Sequence, residues 1–200
     1  VLIDGLCCYV PFESFEEDEK ESVFFFSFPN ERGKLVFYNI LTRCNVVLLF
    51  GLDKSVYQLL TDYFPDVHLY AAETPVLEHL MEKSKVRDMQ KLYAVFHPNK
   101  MSVFVINGGK LAFSNSFTAP DIHDYIYFLL QVWSALGMNQ TQDELHLIGE
   151  IPDKEQLVTE LHRFVRQVYP VVTTVEFSRS VTADYPELPY DLVALLAGGL

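Results

Sequence analysis

KLYAVFHPNKMSVFVINGGKLAFSNSF, residues 91–117, is the stretch whose reading decides the fold. It divides into three strand patterns, 91–97, 100–106 and 110–116, separated by Pro98-Asn99 and Asn107-Gly108-Gly109, residue types that favour tight hairpin turns. An antiparallel meander is expected. After it, Ile122, Tyr125, Ile126, Leu129, Trp133 and Leu136 recur every three or four residues before Gly137, which predicts an amphipathic helix with one face on a sheet. Thr118 and Asp121 read as its capping box. Residues 145–148 are an apolar strand, so the segment 91–149 reads as meander, helix, buried strand.

Working outward toward the C-terminus, Leu157, Leu161, Phe164, Val165 and Val168 predict a second amphipathic helix over 153–168, with Asp153 and Gln156 as its capping box. The β-branched run 171–177 reads as a last strand, and 192–196 as a helix after Pro186 and Pro189. Toward the N-terminus, residues 6–10 form a strand stopped at Pro11, and the acidic stretch 12–21 is a short exposed helix or loop. Residues 23–28 and 34–40 read as a strand pair around 29–33, and the unbroken apolar run 46–50 as a strand covered on both faces. Asp53 caps a helix carrying Val56, Leu59, Leu60, Tyr63 and Phe64 on one side and ended by Pro65. Another strand is expected at 67–71, then a helix capped by Thr74 with Pro75 at its first position and Leu77, Leu80 and Met81 inward. The polar, aperiodic stretch 84–90 marks a boundary, giving lobes at 1–84 and 85–200. Both end on strand, helix, strand, helix, as a duplicated fold would.

Two hundred residues at 50% hydrophobic content can bury one sizeable core or two smaller ones. Fifteen basic against 27 acidic residues give a net charge of -12, a field that repels phosphate backbones and anionic membranes, and the bases are scattered among acids. Nucleic acid is therefore not the expected partner. Cys7, Cys8 and Cys44 form neither a disulfide framework nor a CxxC site, which points to a reducing, cytoplasmic compartment. Apolar runs are far shorter than the roughly 20 residues of a membrane helix, so no membrane insertion is expected. The chain opens on Val1-Leu2-Ile3, inside an apolar pattern and without Met, so the natural chain is expected to begin earlier.

Tyr9-Val10-Pro11 before an acidic segment, residues 36–39 followed by Val46-Val47-Leu48-Leu49-Phe50-Gly51, Gly109-Lys110-Leu111 with residues 113–117 and 124–130, Leu147-Ile148-Gly149-Glu150-Ile151 and Leu188-Pro189-Tyr190-Asp191-Leu192 together resemble a bacterial family of uncharacterised proteins. Known structures of that family have an actin-like ATPase fold, and the path from residue 46 to residue 111 is more distantly similar to the actin-like proteins of pilus and type II secretion assembly. The resemblance spans nearly the whole chain. It implies an α/β protein of the actin-like, ribonuclease-H-like class: two lobes, each with a mixed sheet of antiparallel meander and parallel strands covered by helices. Residues 1–84 then correspond to the C-terminal part of the first lobe and residues 85–200 to the second.

Actin-like ATPases carry an Asp and a Gly-rich loop in the first hairpin of each lobe, where backbone N–H groups cradle phosphates and the Asp organises Mg²⁺. Here the second-lobe hairpin reads Phe96-His97-Pro98-Asn99-Lys100-Met101-Ser102, without Asp or Gly, and Pro98 removes a donor. Gly149 is kept where a nucleotide would approach the backbone, but Glu150-Ile151-Pro152 adds charge and bulk. A bound nucleotide would be held by Gly149, Glu150 and Asn99, but neither a nucleotide nor any other cofactor is expected. The first strand 91–97 lacks the acid a two-metal nuclease needs, and no His pair has metal-ligand spacing, so no metal site and no catalytic residue are assigned. His146 reads as a structural histidine and Cys7-Cys8 as packing. Phe24, Phe26 and Phe28 alternating with Phe25 ask for a second covering layer or a partner. The expected function is a non-catalytic structural or protein-interaction module with a degenerate ATPase fold, binding a protein partner or itself; the alternative is a divergent ATP-binding actin-like ATPase.

Overall fold

The computed structural model describes residues 1–84 and 89–198. The chain divides into two compact units, Val1–Leu80 and Met81–Ala197. The boundary expected within 84–90 falls partly on residues 85–88, outside the described residues.

The first unit contains β1 (Leu2–Ile3), β2 (Cys7–Pro11), α1 (Lys20–Ser27), β3 (Leu35–Leu41), β4 (Val46–Leu52), α2 (Lys54–Tyr63), β5 (Tyr70–Ala71) and the start of α3 (Glu73–Lys83). β4 is the middle strand of an antiparallel sheet ordered β2-β4-β3, which explains its unbroken apolar run: Val47, Leu48, Leu49 and Phe50 are all buried. Pro11 closes β2 at the sheet edge, where its missing N–H costs nothing. β1 and β5 make a short parallel pair. Asn39 of β3 ties β5 to α3, since its Oδ1 accepts from Ala71 N at 2.9 Å and Thr74 Oγ1 at 2.8 Å while Nδ2 donates to Leu69 O at 3.1 Å.

The second unit is built on a five-stranded mixed sheet ordered β10-β9-β6-β7-β8. Its elements are β6 (Gln90–His97), β7 (Lys100–Asn107), β8 (Lys110–Phe117), α4 (Ile122–Ala135), β9 (Glu144–Gly149), α5 (Lys154–Leu161), β10 (Gln167–Pro170), α6 (Thr173–Glu176) and α7 (Tyr190–Gly198). The meander β6-β7-β8 is antiparallel, with Asn99 at φ 60° and Gly108-Gly109 at φ 57° and 76° in the left-handed turn positions. β9 then pairs parallel with β6, and β10 with β9. Alternate residues of the sheet (Leu92, Ala94, Phe96, Met101, Val103, Val105, Leu145, Leu147) meet Tyr125, Leu129, Val132 and Trp133 of α4 and Leu157 and Leu161 of α5 in one core. This is the mixed antiparallel and parallel α/β sheet that the 91–149 stretch predicts.

Several local expectations are corrected. Residues 23–27 are helical, not a strand, and Phe28 caps the helix: Phe24 is fully buried and Phe26 is 89% exposed, with the Phe24 and Phe28 rings one turn apart at 5.1 Å and tilted by 60°. Gly51 makes this possible, because a Cβ there would lie 2.9 Å from the Phe24 ring, and this socket, not the strand preference of Phe, decides the conformation. The helix expected over 153–168 stops at Leu161. Leu157, Leu161, Val165 and Val168 all reach the core, but Val168 does so from β10. The strand expected at 171–177 is replaced by α6, because the ladder on β9 is used up by residues 167–170 and ends with Val171 N donating to Leu147 O at 2.7 Å.

The helix starts also shift. Asp121, not Thr118, caps α4, since Pro120 disfavours a helical Ala119. Thr74 lies inside α3, and Asp153 precedes α5 at φ 38° without a capping bond. Asp53 precedes α2, again without one, and Val56, Leu59, Tyr63 and Phe64 are exposed. The strand at 67–71 shrinks to Tyr70–Ala71.

The helical reading of 20–27 separates two neighbouring phenylalanines. Phe24→Ala is expected to destabilise the protein by about 3–5 kcal/mol and Phe26→Ala by less than about 0.5 kcal/mol, measured by urea unfolding.

Candidate functional site

The site is built where β6 and β9 end side by side. Phe96 of β6 is level with Gly149 of β9, and Gly149 adopts φ 87°; a Cβ at this position would stand 2.4 Å from the Phe96 carbonyl oxygen. Glycine is thus required by the approach of two protein backbones. The chain then leaves the sheet through Glu150, while β6 turns through Pro98-Asn99 into β7. Between these turns and the start of α4 lies a cleft of about 250 Å³. Its walls come from the hairpin (His97, Pro98, Asn99), from the entry to α4 (Ala119, Pro120, Asp121, Ile122, Tyr125) and from the β9–α5 turn (Glu150, Pro152, Asp153). Of the three residues singled out in the sequence, Asn99 and Glu150 meet on this cleft, whereas Gly149 sits behind it in the sheet.

The charge of the cleft is one-sided. Asp121, Glu150 and Asp153 contribute three carboxylates, and no Lys or Arg is among the residues that line it. Asp121 Oδ1 accepts from His123 N at 2.6 Å and lies 3.1 Å from His123 Nδ1; this backbone hydrogen bond, foremost, holds its carboxyl below the usual carboxylate range. Among the described residues no hydrogen bond or ion pair engages the side chains of Glu150 and Asp153. Tyr125 is only 5% exposed, with its ring edge-on to Phe96 at 5.4 Å, and its hydroxyl has no partner among the described residues. Helical side chains lean toward the N-terminus of their helix, which carries this hydroxyl back toward Asp121 and the cleft. Burial pushes the phenol upward. The sequence places Tyr125 on the apolar stripe of α4 and Asp153 at a helix start; only the turn after β9 brings the two together on one cleft.

A second polar cluster occupies the opposite face of the same sheet. His146 Nε2 meets Glu144 Oε2 at 2.8 Å, Lys91 Nζ meets the same oxygen at 3.2 Å, and the imidazole lies between the rings of Tyr93 (4.8 Å) and Tyr169 (5.4 Å). Nearby, Glu176 Oε1 accepts from Tyr190 at 2.9 Å and pairs with Lys83 at 2.7 Å, and Tyr93 shares a 2.7 Å hydrogen bond with Ser84. Burial holds the His146 imidazole below its ordinary value, with Glu144 opposing. For Glu144, burial pushes upward, but the hydrogen bond from His146 and the charge of Lys91 outweigh it and leave the carboxyl lowered.

Cysteine chemistry is muted, since burial pushes the Cys8 thiol up to about 11 and Cys44 up to about 12. Among the described residues no group of three or more His, Cys, Asp and Glu side chains is arranged to hold a metal ion. No helix among them is long and apolar enough to cross a membrane.

A meander followed by helix, parallel strand, helix and parallel strand places the chain among proteins of the actin-like ATPase fold. A crystal structure of a Bacteroides thetaiotaomicron protein with that fold and of unknown function superimposes with a TM-score of 0.85 at 35% sequence identity, covering 98% of this chain and 71% of the other. A component of the PilM–PilN type IV pilus biogenesis complex shares the fold more distantly, with a TM-score of 0.58 at 13% identity over 96% of this chain and 74% of the other. The chain belongs to the DUF3822 family of proteins of unknown function, which matches residues 1–168. None of the curated proteins matches it.

Two outcomes test the geometry of this region. Gly149→Ala forces a left-handed alanine against the Phe96 carbonyl and is expected to lower stability by at least about 1–3 kcal/mol in urea titrations. Stability is also expected to fall on acidification. The neutral His146 contributes fully above its unfolded value of 6.5, and this is lost as pH drops through its lower folded value. Glu144 contributes above its unfolded value of 4.5, and that is lost as pH falls through its depressed folded value. Melting temperature from pH 7.5 to 3.5 should therefore decline in both ranges, and His146→Gln should remove the upper one, the decline that begins below pH 6.5, while leaving a decline below pH 4.5.

Proposed function

We propose that this protein is a non-catalytic protein-interaction module, an actin-like fold whose nucleotide chemistry has been lost. Residues 1–84 would serve as the C-terminal part of a first lobe and residues 85–200 as a second lobe, acting in the cytoplasm on a protein partner or on a second copy of the chain. One observation carries the reading: the cleft beside Asn99 and Glu150 is lined by three carboxylates and by no Lys or Arg. A nucleoside triphosphate brings several negative charges, and such a lining repels it while offering no counter-charge. The hairpin that cradles phosphate in ATPases of this fold needs successive backbone N–H groups, and here Pro98 removes one.

An interaction role is supported by apolar surface. Val56, Leu59, Tyr63 and Phe64 are exposed along and just after α2, and Phe26, Val175 and Val181 are 70% exposed or more. Four exposed apolar side chains along and just after one short helix make the kind of patch that marks an interaction surface.

Calorimetric titration with Mg-ATP decides the question. The expected result is no binding at micromolar nucleotide and no phosphate release above background. Micromolar affinity, or turnover that disappears in Glu150→Gln, would establish an ATPase instead.

A further inference from the structure

We infer that α2 is the surface through which two copies of this chain associate, the helix lying antiparallel against α2 of the second copy across a twofold axis at Leu59. This rests on the reading of the protein as an interaction module and commits that module to one partner, a second copy of itself.

The packing of α2 shows which of its faces is free. Tyr57 turns inward, its ring 5.1 Å from that of Phe37 on β3, and Leu60 and Thr61 are half-buried beside it. The 100° step of a helix then gathers Val56, Leu59 and Tyr63 on the outward side, where they are 40%, 57% and 74% exposed. One margin of this stripe is polar. It carries Ser55, Gln58 and Asp62, all exposed, and no hydrogen bond or ion pair engages their side chains among the described residues. The order along the stripe selects the occupant. Val56, the smallest side chain, stands at one end and Tyr63, the largest, at the other, so a twofold-related helix running the opposite way sets small against large at both ends. Leu59 then meets its own equivalent at the axis. The polar margin matches in the same arrangement: Asp62 of each helix falls between Ser55 and Gln58 of the other, a carboxylate that accepts facing a hydroxyl and an amide that donate. A parallel pair instead opposes Asp62 to Asp62 and Tyr63 to Tyr63, and an unrelated apolar segment leaves Asp62 and its donors without counterparts. Size and charge set the strength. Three side chains per copy bury far less than the about 1,600 Å² of a standard interface, and 27 acidic against 15 basic residues repel between copies, so the dimer is weak, with Kd on the order of 100 μM.

The test is sedimentation equilibrium of the full chain from about 10 to about 500 μM at about 0.15 M salt, where a reversible monomer–dimer equilibrium is expected. Leu59→Asp should weaken it at least about tenfold with the melting temperature nearly unchanged, because the side chain it replaces is exposed. Ser55→Asp should also weaken the dimer, since it sets a carboxylate against Asp62 at two equivalent places. Adding Asp62→Lys to Ser55→Asp should restore the dimer and hold it more tightly than Asp62→Lys alone. Of those two proteins the double variant is the more negative, so net charge by itself predicts the reverse order. A monomer at every concentration, a dimer unchanged in Leu59→Asp, or a double variant that associates more weakly than Asp62→Lys would overturn the inference. Each of these leaves the proposed function standing, with a different protein as the partner or a different face of the chain as the interface. Mg-ATP binding, measured by calorimetry on the same samples, would overturn the proposed function and leave the dimer in place.

Discussion

The backbones of β6 and β9 run so close at Phe96 and Gly149 that no side chain fits between them, and the second unit is organised by that contact. Because β9 lies directly on β6, the sheet gains a parallel half beside its antiparallel meander, and β10 has an edge to join. Phe96 is held from the other side by the Tyr125 ring, so the start of α4 is fixed relative to the same point. The chain leaves β9 through Gly149 in the left-handed region, and Glu150 after it lines the cleft together with Asn99. Packing at one glycine therefore sets where β9 ends, where α4 begins and what faces the cleft they share.

The same residue shows why a motif and a site are different things. A glycine at the end of this strand resembles a position where a nucleotide approaches the backbone, yet the group pressed against Gly149 is the carbonyl of Phe96. What the fold holds open beside it is lined by Asp121, Glu150 and Asp153. Charge of that sign is poorly matched to phosphate. The Bacteroides thetaiotaomicron relative shares the fold at 35% identity and is likewise of unknown function, so the likeness establishes architecture and leaves chemistry to the residues.

Much of the architecture was legible because it is written in local patterns. The three strands of the meander, their two-residue turns and the stripe on α4 follow from alternation, turn chemistry and helical spacing, and each is found within a residue or two. The errors have a common origin. Residues 23–28 look like a strand because Phe favours strands, and become a helix because Gly51 opens a socket for Phe24. Leu157, Leu161, Val165 and Val168 reach the core as their spacing predicts while Phe164 of the same stripe is 48% exposed, and spacing alone could not say that Val168 arrives on a strand. Of the cleft, Asn99 and Glu150 were visible as the ends of their strands, whereas Tyr125 and Asp153 had no signal beyond an apolar stripe and a helix start.

By itself, then, the sequence determined the strands and turns of the meander, the apolar stripe with which α4 meets the core and the sign of the net charge, since these depend on residue type and on neighbours a few positions away. Only the tertiary structure decided whether 23–28 is helix or strand, that β10 takes residues 167–170, and that Asn99, Tyr125, Glu150 and Asp153 share one cleft. Each of those outcomes turns on a contact between segments far apart in the chain: Phe24 with Gly51, β10 with β9, Phe96 with Gly149 and Tyr125. Residue preferences are worth only fractions of a kcal/mol, and such contacts override them.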